Sequence, residues 1–171
     1  NGTTWKPVFE NESTFSVAVV TVCDKDPNLV WVGTGEPHMA RSSFAGTGVF
    51  KSTDGAETWQ HMGLVDTHHI GRVLIDPEDS NVVYVAALGH QYTYNEQRGV
   101  FKTTDGGKTF DRLASKLHGD HHTLWIDPQN PHILVDGNDG GIGISRDRGE
   151  YWQYVRNLPM GQYYEIAADN Q

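Results

Sequence analysis

The chain has 171 residues, of which 37% are hydrophobic and 20% charged, and its formal charge is −9. That composition fits one soluble domain or a piece of one; no apolar run approaches the ~18 residues of a membrane span, and the acidic balance argues against a nucleic-acid binder. Nineteen glycines, with five Trp, seven Tyr and six Phe, point to short strands joined by tight turns and hence to an all-β fold.

The chain opens at Asn1 without a leader, so a targeting segment is expected to be absent or removed. From there, apolar and polar residues alternate over Ser16–Cys23, Leu29–Gly33, Gly48–Ser52 and Thr58–Met62, which predicts four strands. Cys23, the single cysteine, closes the first run and reads as a small buried hydrophobe. The pattern returns over Gly71–Asp76, Val82–Ala87, Gly99–Thr103 and Thr109–Leu113, and again within 121–156. A period of roughly 50 residues built from four strands is that of one propeller blade.

A turn motif marks each unit. Ser52-Thr53-Asp54-Gly55-Ala56-Glu57-Thr58-Trp59 returns as Thr103-Thr104-Asp105-Gly106-Gly107-Lys108-Thr109-Phe110 and as Ser145-Arg146-Asp147-Arg148-Gly149-Glu150-Tyr151-Trp152. In each, the Asp carboxylate is positioned to accept N–H groups of the hairpin between the third and fourth strands. The aromatic residue, Trp59, Phe110 or Trp152, opens the outer strand and packs between sheets. Asp54, Asp105 and Asp147 therefore read as structural rather than catalytic. Arg148 stands where the other motifs have Gly55 and Gly106, so the third turn is expected to be altered.

The predicted architecture is a β-propeller of four-stranded antiparallel blades, spanning about 16–62, 70–113 and 121–156. Residues 1–9, whose Gly2-Thr3-Thr4-Trp5 matches the tail of the turn motif, are expected to form the outer strand of a preceding blade. Residues 162–169 are expected to form the inner strand of a following one. Three blades do not close a ring, so either further chain or association between copies is expected to cover the open edges.

These motifs resemble the Asp-box (BNR) repeat family over nearly the whole chain. The stretch from Gly48-Val49-Phe50-Lys51-Ser52-Thr53-Asp54-Gly55 to Thr67-His68-His69-Ile70-Gly71-Arg72 is most similar to the sortilin-type, glycosyl-hydrolase-type propellers of bacteria. The same box occurs in sialidases, xyloglucan hydrolases, sortilin-type receptors and photosystem assembly factors, so the resemblance speaks for the fold more than for an activity. It implies an extracytoplasmic protein with a ring of six to ten blades.

Candidate chemistry falls where loops enter the first strand and leave the second strand of each unit, since both open on one face of a propeller. His68, His69, Asp120, His121 and His122 precede first strands, whereas Glu36, His90 and Asp139 follow second strands. Imidazoles and carboxylates so gathered suit Zn²⁺ ligation or acid–base work, but the spacing matches no metal signature and no metal is assigned. Adjacent histidines in a strand point to opposite faces, so at most one of each pair faces the channel. Asp136-Gly137-Asn138-Asp139-Gly140-Gly141 begins like a calcium loop and breaks at Gly140.

Two insertions, Pro37–Thr47 and Gln91–Arg98, carry Met39, Phe44, Tyr92 and Tyr94, whose rings suit stacking on a sugar or seating in a partner's pocket. Arg72 is the one arginine near an inner strand. The expected binding set is thus His68, His69, Arg72, His90, His121, His122, Phe44, Tyr92 and Tyr94. The chain reads as a non-catalytic, extracytoplasmic module for a protein or glycan, without a cofactor. The alternative is a xyloglucanase-like glycoside hydrolase using Glu36 and Asp139 as acid and base. No phosphate loop, dinucleotide fingerprint, Gly-x-Ser-x-Gly or Cys-x-x-Cys occurs, which leaves NTPases, serine hydrolases and redox enzymes without support.

Overall fold

The structure, a computed structural model, describes residues 2–38, 40–113, 117–157, 163 and 165–167. Among these, strands form three four-stranded antiparallel sheets, each a simple meander in chain order. The first holds β1 (Val17–Cys23), β2 (Asp26–Thr34), β3 (Val49–Ser52) and β4 (Gln60–His61). The second holds β5 (Ile70–Ile75), β6 (Val83–Ala87), β7 (Gly99–Thr103) and β8 (Asp111–Arg112), and the third β9 (His121–Ile126), β10 (Leu134–Asn138), β11 (Gly141–Ser145) and β12 (Gln153–Tyr154). One 3₁₀ turn, Val65–Thr67, precedes β5, and no helix among the described residues is long and apolar enough to cross a membrane.

Strand alternation dictates how the sheets stack. In the second sheet Val83, Val85, Ala87 and Phe101 pack toward the first sheet against Trp31, Val49 and Cys23, while Val82, Tyr84, Ala86 and Val100 pack toward the third against Leu124, Leu134 and Trp152. The middle sheet is therefore buried on both faces, and the strands β1, β5 and β9 come together at one edge. There the Thr21 hydroxyl donates to the Val73 carbonyl at 2.7 Å. A Cβ at Gly71 would lie 2.5 Å from the His122 carbonyl oxygen, so only glycine lets β5 approach β9 this closely. This is a partial β-propeller, with β1, β5 and β9 innermost.

The outermost strands are shorter than the alternation predicts, two residues each, although single bonds such as Leu113 N–H to the Val100 carbonyl extend the pairing. Residues 2–9 enter no ladder. A strand needs a paired neighbour, and here Val8 instead accepts the Trp59 indole N–H at 2.6 Å while the Phe9 ring stands edge-on to Phe50 and Trp59, each at 5.2 Å. Of the expected inner strand over 162–169, residues 163 and 165–167 are described and none of these enters a ladder, although Tyr163 donates its N–H to the Asn138 carbonyl at 3.3 Å.

The repeated turns are alike in detail. The hydroxyls of Ser52, Thr103 and Ser145 donate to Asp54, Asp105 and Asp147 at 2.8, 2.7 and 2.7 Å, and the N–H groups of Thr58, Thr109 and Tyr151 donate to the same carboxylates at 2.9, 3.0 and 2.9 Å. Thr58 and Thr109 add hydroxyl bonds that Tyr151 has no group to make. These bonds, the Thr58 hydroxyl foremost, hold the Asp54 carboxyl at about 2, and they depress Asp105 and Asp147 as well.

The expected alteration of the third turn does not occur. Arg148 adopts φ 58°, beside 73° at Gly55 and 72° at Gly106, so the turn keeps its course despite the Cβ. The compensation is electrostatic: the Arg148 guanidinium reaches Glu78 and lies 3.5 Å from Asp76 on the second sheet. Of the three aromatic residues, Phe110 packs between the first and second sheets and Trp152 between the second and third.

Candidate functional site

The loops that leave second strands and enter first strands assemble a polar cluster beside the second sheet. Thr67 pins the 3₁₀ turn by donating its N–H and hydroxyl to the Leu64 carbonyl at 3.2 and 2.7 Å. The next residue, His68, has φ 54° and ψ −47°, and His69 N–H bonds back to the Thr67 carbonyl across it. That is a γ-turn with positive φ at a residue bearing a side chain, a rare and strained conformation. It stacks the His68 imidazole on that of His90, centroids 3.7 Å apart and planes at 25°.

Asp66 completes the group. Its Oδ1 is 2.9 Å from His90 Nε2, and the other ring nitrogen of His90, Nδ1, is 3.0 Å from the Thr93 hydroxyl. Asn95, buried, is the hub: its amide donates to the Asp66 carbonyl and carboxylate at 2.6 and 3.2 Å, and its Oδ1 accepts the His90 N–H at 2.9 Å. Gln97 accepts the Asp66 N–H at 2.7 Å. The His90 and Asn95 bonds keep the Asp66 carboxyl below its ordinary value. Burial, then the neighbouring His90, lowers His68. Burial, then the charge of His68, lowers His69, which lies within reach of Glu36.

Both inserted loops border this cluster. Gln91 donates to the Ala40 carbonyl at 2.9 Å, which joins the second insertion to the first. Tyr92 and Tyr94 are 73% and 74% exposed and Phe44 is 54% exposed, with Phe44 edge-on to Phe15 at 4.9 Å, so these rings project to solvent as binding groups would. Met39 lies outside the described residues.

The third sheet disposes of its histidines differently. His121 Nδ1 is 2.8 Å from the buried Asp136, whose second oxygen accepts from Asn138 at 2.7 Å. His122 Nε2 is 2.8 Å from Asp139. The two neighbours thus serve different carboxylates. Asp136 is engaged by His121 on β9 and by Asn138, and Asn138 accepts the Gly140 N–H at 2.8 Å, so the calcium-loop beginning forms the β10–β11 hairpin here. Asp120 pairs with Arg98 at 3.3 Å, and Arg98 also donates to the His90 carbonyl.

A cavity of about 430 Å³ opens between β1, β5 and β9, where a closed ring has its channel; Val19, Arg72, His122 and Trp125 line it, with His38 and Glu165 from flanking segments. Of the residues expected to bind, Arg72 and His122 border this cavity, His68 and His90 meet in the loop cluster, and His69 and His121 are buried behind them. Glu36 is exposed on the loop after β2 and Asp139 lies after β10, with the second sheet between their own. Sequence reasoning passed over Asp66, Thr93 and Asn95. The signal available was an Asp two positions before His68, in a stretch read only for its histidines.

The chain is 29% identical over 129 residues to the xyloglucanase Xgh74A of Acetivibrio thermocellus, a match covering 66% of this chain and 15% of that protein. The crystal structure of the GH74 xyloglucanase from Xanthomonas campestris superposes with a TM-score of 0.62 at 23% identity, over 84% of this chain and 21% of that one. YCF48 bound to a D1 peptide superposes with a TM-score of 0.55 at 18% identity, over 81% of this chain and 40% of that one. No family model matches. The chain therefore spans less than half the length of each of these proteins. The structural likeness shows a β-propeller, and the sequence match is a similarity to part of a xyloglucanase.

Proposed function

We propose that the chain is part of an extracytoplasmic Asp-box propeller that acts as a non-catalytic module, binding a protein or glycan on the face bearing its two inserted loops. The observation that carries this reading is the engagement of the carboxylates. Asp66, Asp120, Asp136 and Asp139 are each paired with a His or Arg. A glycoside hydrolase needs an acid and a second carboxylate facing across the scissile bond at roughly 5–9.5 Å. Asp139 is held by His122, and Glu36 belongs to a sheet that does not adjoin its own. The exposed rings of Phe44, Tyr92 and Tyr94 supply flat apolar area of the kind that stacks on sugars or fills a partner's pocket. YCF48, whose structure superposes on this chain and holds a D1 peptide, is a precedent for peptide binding by this fold.

Further chain, or another copy, covers the outer faces of the stack in this reading. Val20 and Val22 on β1 are 58% and 50% exposed on the side away from the second sheet, an apolar stripe that a neighbouring blade would bury. The extracytoplasmic assignment goes with the likeness to enzymes named for a polysaccharide. That same 29% identity favours the second reading, a hydrolase of the xyloglucanase kind.

Titration of the chain with xyloglucan oligosaccharides, followed by calorimetry and by release of reducing ends, separates the two. A binding module gives heat without reducing ends, and a Tyr92→Ala, Tyr94→Ala double variant loses the heat while keeping its Tm. Reducing ends that vanish in Glu36→Gln or Asp139→Asn would establish the hydrolase instead. Light scattering adds the state of the open faces, since a discrete multiple of the 19.0 kDa chain mass means self-association.

A further inference from the structure

Among the described residues, Asp66, His68 and His90 differ from the other His–carboxylate contacts in bringing three ligand atoms together. One ligand atom of each lies within 4.8 Å of the other two. Asp66 Oδ1 and His90 Nε2 are already 2.9 Å apart, and the His68 ring lies against that of His90.

Two of the three donors, His90 and Asp66, are also held from behind. Thr93 bonds the far nitrogen of His90, and Asn95 bonds the Asp66 oxygen that does not face the histidine. Metal-binding imidazoles and carboxylates characteristically carry such outer partners, which fix orientation and raise basicity. The strained backbone at His68 directs its ring into the cluster, at an energetic cost that the fold retains. The same turn also aims the His68 carbonyl at the Gly46 N–H, 2.6 Å away, which ties the strained residue to the first inserted loop.

We propose that Asp66, His68 and His90 bind one borderline divalent cation, Zn²⁺ in the first instance, with its remaining positions open to water or to a donor atom of a molecule on the loop face. Two imidazoles and a carboxylate suit such a cation, whereas Ca²⁺ and Mg²⁺ favour all-oxygen shells. Ligand atoms about 2.0–2.1 Å from a tetrahedral ion stand roughly 3.3–3.4 Å from one another. Seating the ion thus breaks the Asp66–His90 hydrogen bond, widens that separation slightly and fans the two rings apart. The site is independent of what the propeller binds, and its test makes no use of activity.

The chain, stripped with chelator, is titrated with Zn²⁺ by calorimetry and with Co²⁺ by visible absorption. The expected result is one equivalent of either ion, with Co²⁺ bands of a four- or five-coordinate site. Thr93→Val, which removes only an outer partner, weakens binding about 10-fold. Asp66→Asn and His90→Ala weaken it further, and His132→Ala, an exposed histidine on the β9–β10 turn, leaves it unchanged. Should His90→Ala fail to fold, the imidazole nitrogen signals of the wild-type chain carry the test, with Zn²⁺ shifting those of His68 and His90. The proposal is overturned by no binding at micromolar Zn²⁺, by affinity indifferent to the Thr93 and Asp66 variants, or by shifts at His121 and His122 in place of His68 and His90.

Discussion

Trp152→Ala tests how the sheets are held together. The indole is 5% exposed and packs with Val82, Tyr84, Ala86, Val100, Leu124 and Leu134 between the second and third sheets. Its Nε1 makes no hydrogen bond among the described residues, so truncation removes packing and little else. Burial of roughly 200 Å² at about 25 cal/mol per Å² gives an upper figure near 5 kcal/mol, and measured truncations of buried aromatics cost about 3–5 kcal/mol. For a chain of this size, about 4 kcal/mol lowers Tm by roughly 8–16 °C. The loss should be local, because in a stacked array each sheet is stabilised by its neighbours. Hydrogen exchange should show β10 and β11 losing protection while β2 and β3 keep theirs. Trp59→Ala, which strips a half-buried ring lying against Val8 and Phe9, is the comparison and should cost about 1–2 kcal/mol. A Tm loss under about 3 °C, or equal loss of protection in β2 and β10, would refute the claim that this indole joins the two sheets.

The turn carboxylates predict acid sensitivity. Asp54 is held at about 2 against an ordinary 3.8, and Asp105 and Asp147 are depressed too. A group with a depressed folded pKa contributes stability above its unfolded value and loses it as pH falls through the folded one. The urea midpoint should therefore drop between pH 3.8 and about 2, and Asp54→Asn should lower it at neutral pH and flatten that decline; parallel profiles would count against the turn bonds. Arg148→Ala keeps the positive φ and forfeits the contacts to Glu78 and Asp76, whereas Arg148→Gly forfeits the contacts and relieves the φ. Urea unfolding should rank the glycine variant about 1 kcal/mol the more stable. Gly71→Ala should cost about 1–3 kcal/mol by pushing β5 from β9, measured by the same unfolding.

The fold was legible because its signals are redundant. Alternation, turn motif and period each mark the same units, and an error in one is corrected by the others. What escaped was carried by single residues. The third turn survives without its glycine because Glu78 and Asp76, on another sheet, hold Arg148 in place. The outer strand expected over 1–9 depended on a neighbour that supplies a ladder, and the segment packs through Phe9 instead. In the candidate site, loop position singled out His68 and His90, whereas their stacking depends on the γ-turn at His68 and on Asn95, neither of which has a periodic signature.

The repeat also shows where it stops being a repeat. Lys51 on β3 donates to the Gly106 carbonyl in the next sheet's turn at 2.9 Å, and Lys102, at the same register on β7, donates to the Arg148 carbonyl at 3.1 Å. Each ammonium also lies over an aromatic ring of its own sheet, Trp31 at 5.5 Å and Tyr84 at 5.6 Å. The lysine thus ties one sheet to the next while its stem covers the ring beneath. At the corresponding position of β11 stands Ile144, and the residue paired with it on β10 is Val135 in place of Trp31 and Tyr84. A following blade would find no cation there for its turn carbonyl. That joint would lack the lysine-to-carbonyl tie, which makes it less selective for partner geometry than the two joints inside the chain.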